Sequence, residues 1–139
     1  KQNKMDKRVN YTTNLETIFA SASSMGISAI KTIRISGKDS KKVLKLLTKK
    51  NLPKPRYQSL QKIYDIKNSS LIDKAVIVWL PGPKTYTGED MVEFHIHGGN
   101  AVLEHLIKNL SFMKNVRLAK PGEFTKRAFI NNKMDLLKA

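Results

Sequence analysis

The densest apolar stretch of the chain is Ala75-Val76-Ile77-Val78-Trp79-Leu80. A run that is apolar on both faces predicts an interior strand over Lys74 to Leu80, and Pro81-Gly82-Pro83 stops it. Downstream, Met91 to His97 alternates instead. Val92, Phe94 and Ile96 share one face, and Glu93, His95 and His97 share the other. This predicts a half-buried strand whose outer side carries a carboxylate and two imidazoles, ended by Gly98-Gly99. Upstream, Leu15 to Ser23 reads as a first strand, Ser23-Ser24-Met25-Gly26 as a turn, and Ala29 to Ser36 as a second strand. In that strand Ile30, Thr32, Arg34 and Ser36 face one way and Ala29, Lys31, Ile33 and Ile35 the other, so partial cover on both sides is expected.

Helical spacing takes over after Gly37. Asp39 or Ser40 is placed to cap a helix with the apolar stripe Val43, Leu44, Leu46 and Leu47, closed off by Pro53 and Pro55. Arg56 to Ile66 reads as a strand, with Tyr57, Leu60, Ile63, Tyr64 and Ile66 as candidates for burial, and Asn68-Ser69-Ser70 as a turn. Ala101 to Met113 is amphipathic, with Leu103, Leu106, Ile107 and Leu110 on one face. A short extended piece at Arg117 to Ala119 precedes Pro121-Gly122-Glu123, which opens a helix through Phe129, and Asp135 to Ala139 reads as the start of another. A helix begun so near the last residue is too short to hold alone, so the natural chain is expected to continue. Strands and helices interspersed around an antiparallel centre predict an α+β fold: a mixed, largely antiparallel sheet with packed helices.

Composition narrows the function classes. The 139 residues fit one domain, and 40% of them are hydrophobic, enough for a core. The absence of cysteine excludes a disulfide framework, a thiol nucleophile and a thiolate metal site, and suits the cytoplasm. No apolar run approaches the roughly 20 residues of a bilayer span, and the basic start, Lys1 to Asn10, lacks the apolar segment of a secretory signal. The net charge of +15 raises nucleic acid as a partner. Of the 26 basic residues, however, only Arg8, Arg34, Arg56, Arg117 and Arg127 are arginine, the residue favoured for bidentate recognition. Electrostatic approach of RNA and a merely solvated lysine surface both fit this balance.

Three chemical readings of the Glu93, His95 and His97 face stand open. His-x-His on a strand can ligate a metal, with Glu93 or His105 as third ligand. A half-exposed strand can simply carry polar groups. A lone carboxylate can also accept the paired N–H donors of a flat heterocycle such as a pterin. No G-x-x-x-x-G-K-[ST], G-x-G-x-x-G or G-x-S-x-G stretch occurs, so no nucleotide cradle or serine nucleophile is readable, and Gly98-Gly99 reads chiefly as a tight turn.

Four segments in register carry a resemblance. They are Ile33-Arg34-Ile35-Ser36-Gly37; Leu52-Pro53-Lys54-Pro55-Arg56-Tyr57; Pro81 to Val92 leading into Glu93-Phe94-His95-Ile96-His97-Gly98-Gly99; and Ala119-Lys120-Pro121-Gly122-Glu123-Phe124-Thr125-Lys126-Arg127-Ala128-Phe129 followed by Asn131-Asn132-Lys133-Met134-Asp135-Leu136. Together, over residues 14 to 139, they resemble the N-terminal part of the MnmE (TrmE) family of tRNA-modification GTPases. One departure is the loop Ser23 to Ser28, where the family usually has a Pro- and Gly-rich turn with an arginine.

The resemblance implies a fold related to the tetrahydrofolate-binding domains of aminomethyltransferases. It implies a reduced folate, 5-formyltetrahydrofolate, bound near a homodimer interface by Arg34, Glu93 and Lys133, with His95, His97 and Glu123 as neighbours. Glu123 has an alternative role at a helix N-terminus, where the dipole favours a carboxylate. For the whole protein the resemblance implies action with an MnmG-type flavoprotein on carbon five of the tRNA wobble uridine, with GTP, magnesium and potassium bound outside this chain. The expected organisation is a basic tail over 1–13, a folate-binding and dimerisation domain over 14–120, and a helical link over 121–139. A stand-alone aminomethyltransferase-like enzyme and a basic RNA-binding module are the rival readings.

Overall fold

A computed structural model describes residues 15–23 and 30–138. The turn after the first strand, the departing loop up to Ser28 and the proposed basic tail lie outside the described residues, apart from Ser23 itself. In chain order the elements are β1 (Thr17–Ser23), β2 (Lys31–Ser36), α1 (Ser40–Thr48), β3 (Ser59–Tyr64), β4 (Leu71–Leu80), β5 (Met91–Ile96), α2 (Asn100–Phe112), β6 (Val116–Leu118) and α3 (Glu123–Lys138). The strands form one six-stranded sheet in the order β3-β4-β5-β2-β1-β6. Every neighbouring pair is antiparallel except β1 and β6, which run parallel. The architecture is α+β with a mixed sheet, as the pattern predicts.

The core lies on one side of this sheet. Ile33, Ile35, Val92, Phe94, Ile96, Ala75 and Ile77 supply the strand layer, while Val43, Leu44, Leu47, Leu106 and Leu110 come from α1 and α2. The alternating strand β5 is therefore oriented by its apolar half, since burying Val92, Phe94 and Ile96 forces Glu93 and His95 to the opposite face. The continuous run of β4 sits between β3 and β5, inside the sheet.

Four expectations fail in detail. Leu46 belongs to the apolar stripe by spacing but is 41% exposed, because Val43, Leu44 and Leu47 already fill the contact with the sheet. Tyr57 and Leu60 are exposed rather than buried: Tyr57 precedes β3, and Leu60, paired with Val76, lies on the face of β3 away from the core. The two helices read at the end of the chain are one continuous α3, because no Gly or Pro interrupts Glu123 to Lys138. Asp39 occupies the capping position of α1, but its carboxylate accepts no capping hydrogen bond, and its backbone N–H donates to Thr17 Oγ1 at 2.8 Å.

Two glycines combine a positive φ with a close approach. Gly37, at φ 142°, passes so near β1 that a Cβ would lie 2.7 Å from Thr17 Cα. Gly88, at φ 82°, lies against Asn131 of α3, where a Cβ would meet the Asn131 Cβ at 2.8 Å. The second contact ties the loop between β4 and β5 to the last helix.

Candidate functional site

The sheet face opposite α1 and α2 carries the polar half of β5. Register pairs Arg34 with Glu93 and Thr32 with His95 across β2 and β5. Residues directly opposite in an antiparallel pair point to the same side, so these four side chains form one cluster. Arg34 Nε lies 3.3 Å from Glu93 Oε2, and His95 Nε2 lies 3.1 Å from Glu93 Oε1. A carboxylate only accepts, so in the neutral ring Nε2–H donates to Glu93 and Nδ1 accepts from the Thr32 hydroxyl, at 3.1 Å.

This cluster is half open. The Glu93 side chain is 23% exposed and that of Arg34 is 53% exposed. Each Glu93 oxygen has one partner here, and a carboxylate offers about four acceptor positions, so acceptor capacity remains. Among the described residues the terminal guanidinium nitrogens of Arg34 have no hydrogen-bond partner.

Arg34 and Glu93 line a groove of about 390 Å³. Its walls are largely apolar: Ala20 and Ala22 of β1, Leu80 of β4, Met91 of β5, and two aromatic rings, Tyr86 and Phe124. Small residues on β1 leave the depth, and the aromatics come from the β4–β5 loop and the first turn of α3. A concave apolar surface with a few convergent polar groups is the usual form of a small-molecule site.

A buried ion network fixes the loop and the helix that supply those two rings. The Arg127 side chain is 1% exposed and reaches Glu89 Oε1 at 3.1 Å, Glu123 Oε2 at 3.1 Å and the Glu16 carbonyl oxygen at 2.8 Å. Glu89 also accepts from Ser36 Oγ at 2.7 Å. Glu123 takes both terminal nitrogens of Arg117, at 2.8 and 2.6 Å, and the backbone N–H of Lys120 at 2.9 Å. The paired Arg117 guanidinium, with the backbone bond and Arg127, outweighs burial and lowers the Glu123 pKa to about 2, and Glu123 in turn raises that of Arg117. Closer to the groove, Asn131 donates its side-chain amide to the Thr87 carbonyl, and the Tyr86 hydroxyl meets Thr125 Oγ1 at 3.3 Å.

The residues singled out by the sequence thus divide. Arg34, Glu93 and His95 come together. His97 follows at the end of β5, with its backbone N–H bound to Asp73 Oδ2 at 3.0 Å. Glu123 is committed to Arg117 and Arg127. Lys133 is exposed on α3 and does not line the groove. His105 lies elsewhere, on α2, with Nε2 2.8 Å from Asp65 Oδ2. Among the described residues no three His, Asp or Glu side chains gather to hold a metal. Sequence reasoning passed over Tyr86, Phe124 and Arg127. The four-residue spacing of Glu123 and Arg127 in a helical segment was the available signal for the last; nothing local marked the two rings as groove walls.

The fold and groove define a class first: an α+β domain whose sheet is helix-covered on one face and carries a polar-floored apolar groove on the other. The family model for the GTP-binding protein TrmE N-terminus matches residues 17–133, and the chain belongs to that family. It is 57% identical over 123 residues to the tRNA modification GTPase MnmE of Pelagibacter ubique, covering 88% of this chain. The proteins of the same name from Rickettsia bellii and Beijerinckia indica are 48% identical over 125 residues (90% of this chain) and 44% identical over 128 residues (92%). The chain spans 28% of the length of each of these relatives.

Proposed function

We propose that this chain is the folate-binding, dimer-forming N-terminal domain of a tRNA-modification GTPase, related in fold to aminomethyltransferase-like folate-binding domains. The observation that carries the reading is the pairing of Glu93 with Arg34 on the floor of an apolar groove. The residues suit a reduced folate. Glu93 keeps acceptor positions for the ring N–H and exocyclic amine of a pterin, and Arg34 keeps its terminal donors for carbonyl or carboxylate oxygens. Tyr86 and Phe124 offer flat apolar surface to a ring, and His95, held by Thr32, orients the carboxylate.

Bound there, a reduced folate supplies a one-carbon unit; the chain's own part is to bind it, turn it and exclude water from one side. Lys133 stands in this reading as a further contact to ligand oxygens, made across the subunit boundary of a homodimer. His97 and Glu123 flank the site, Glu123 by holding the start of α3. In the whole protein, a GTPase region outside this chain, using GTP, magnesium and potassium, gates the cycle, and an MnmG-type flavoprotein shares the work on carbon five of the tRNA wobble uridine in the cytoplasm. Residues 1–13 are then a tail, 14–120 the binding and dimerising unit, and 121–139 the link onward. This segment by itself hydrolyses no GTP.

Calorimetry with 5-formyltetrahydrofolate tests the reading on wild type and Glu93→Ala. The expected result is binding weakened at least about tenfold, the loss of a charge-assisted bidentate contact. Equal affinity in both proteins removes Glu93 from the site.

A further inference from the structure

The helix-covered side of the molecule carries a feature that the groove does not use. Lys38, Lys41, Lys42, Lys45, Lys49 and Lys50 are all exposed along α1 and its ends. Lys38, Lys42, Lys45 and Lys49 follow one another at steps of four, three and four, which sets them in one line down the helix. Between Gly37 and Tyr64 the sequence holds a single carboxylate, Asp39. The acidic groups described above are bound by arginine, histidine or backbone, and among the described residues Lys38, Lys41, Lys42, Lys45 and Lys50 have no carboxylate partner. Lys49 bonds Ser69 Oγ at 2.5 Å and lies 5.8 Å from the Tyr64 ring centre, two neutral groups that leave its net positive charge in place.

Helix stability explains only the C-terminal part of this arrangement, where Lys45 and Lys49 suit the negative end of the dipole. The first turn of α1 has no acidic residue, so Lys41 and Lys42 oppose the helix dipole. Like charges four residues apart, as in Lys38–Lys42, Lys41–Lys45 and Lys45–Lys49, disfavour the helix further. Depressions on this surface are walled by the same side chains, Lys38, Lys41, Lys42 and Lys45 around one and Lys45, Lys49 and Lys50 around the next.

We propose that the outer face of α1 is a docking ridge for the phosphodiester backbone of RNA. A nine-residue helix is about 13 Å long and presents a lysine at every turn of about 5.4 Å, so several phosphates lie within its reach. Lysine acts as a point charge without the planar fork that reads bases, so the ridge grips backbone and not sequence. A lipid surface fits less well, because Leu46 is the sole exposed large apolar side chain of α1 and a membrane-lying helix needs an apolar face to insert. The ridge lies across the sheet from the groove, so RNA can rest on it without covering Arg34 and Glu93. The inference rests on the proposed action of the whole protein on tRNA, and the experiment separates the two.

Full-length protein is titrated with tRNA at several salt concentrations, as wild type and with Lys41, Lys42 and Lys45 all changed to Glu. A matched variant with Lys108, Lys114 and Lys120 changed to Glu alters net charge equally away from α1. The ridge variant is expected to bind about tenfold or more weakly near 0.1 M salt, with the slope of log affinity against log salt reduced by about 2 to 3. The milder Lys→Gln triple should show part of the same loss with an unchanged circular dichroism spectrum. Equal weakening in both Glu variants overturns the ridge in favour of net charge alone. Unchanged binding by the ridge variant overturns it outright while leaving the tRNA reading intact. Failure of wild type to bind tRNA overturns both. A larger loss of binding to phosphatidylserine vesicles than to tRNA reassigns the face to a membrane and overturns the proposal.

Discussion

Arg34 and Arg127 both face glutamates, and the two clusters differ in almost everything else. Arg127 is sealed between Glu89 and Glu123, its two terminal nitrogens bound by those carboxylates and the Glu16 carbonyl, while its buried Nε has no partner among the described residues. Arg34 stands at the edge of a groove with one nitrogen on Glu93 and its terminal nitrogens without a partner among the described residues. A buried charge must be matched in place, because an unmatched one carries the full cost of leaving water. A half-exposed charge meets no such demand, since water satisfies it until a ligand arrives. The same residue pair therefore locks a scaffold in one place and leaves a site open in the other.

The largest effect expected from that contrast is on stability. Arg127→Met leaves the buried Glu89 without its cation while Glu123 keeps Arg117, and chemical denaturation should show a loss of about 3–5 kcal/mol. A loss below about 1 kcal/mol would mean that Glu89 finds another cation and that the network is not the lock described.

Arg34→Met reverses the ratio. The stability change should stay within about 1 kcal/mol, as for other exposed ion pairs, while affinity for the reduced folate falls about tenfold. A variant that unfolds readily, or one that keeps full affinity, erases the distinction between the clusters.

Acid sharpens the same distinction less strongly. The Glu123 pKa is depressed from 4.5 to about 2, so its contribution to stability is complete above the unfolded value and is lost as pH falls from about 4.5 through 2. Asp65, lowered mainly by His105 with help from the Lys67 and Asn68 backbone N–H groups, contributes in the same direction. Thermal melts should therefore drop over that window, and Glu123→Gln should flatten the part due to the Arg117–Arg127 network. An unchanged slope in that variant would place the acid sensitivity elsewhere.

Alternation along β5 and the apolar run of β4 were legible because a strand face is buried or exposed as a unit. The four matching segments were legible because their spacings survive in the linear order. Lys133 shows the limit of that reading: its segment matches the family, yet it lies outside the groove of a single chain. Leu60 shows another: it sits on β3 opposite Val76, on the side of the sheet away from the core, while Ile63 of the same strand is fully buried.

By itself, then, the amino-acid order determined the α+β class, the strand bearing Glu93, His95 and His97, and the family. Only the folded chain decided that Arg34 would stand opposite Glu93, that Tyr86 and Phe124 would wall the same groove, and that Arg127 would vanish into the interior. Periodicity is a property of neighbours along the chain, and it fixes which way a side chain faces. Pairing across strands and burial under a helix depend on residues dozens of positions apart, whose meeting is set by the packing of the whole core.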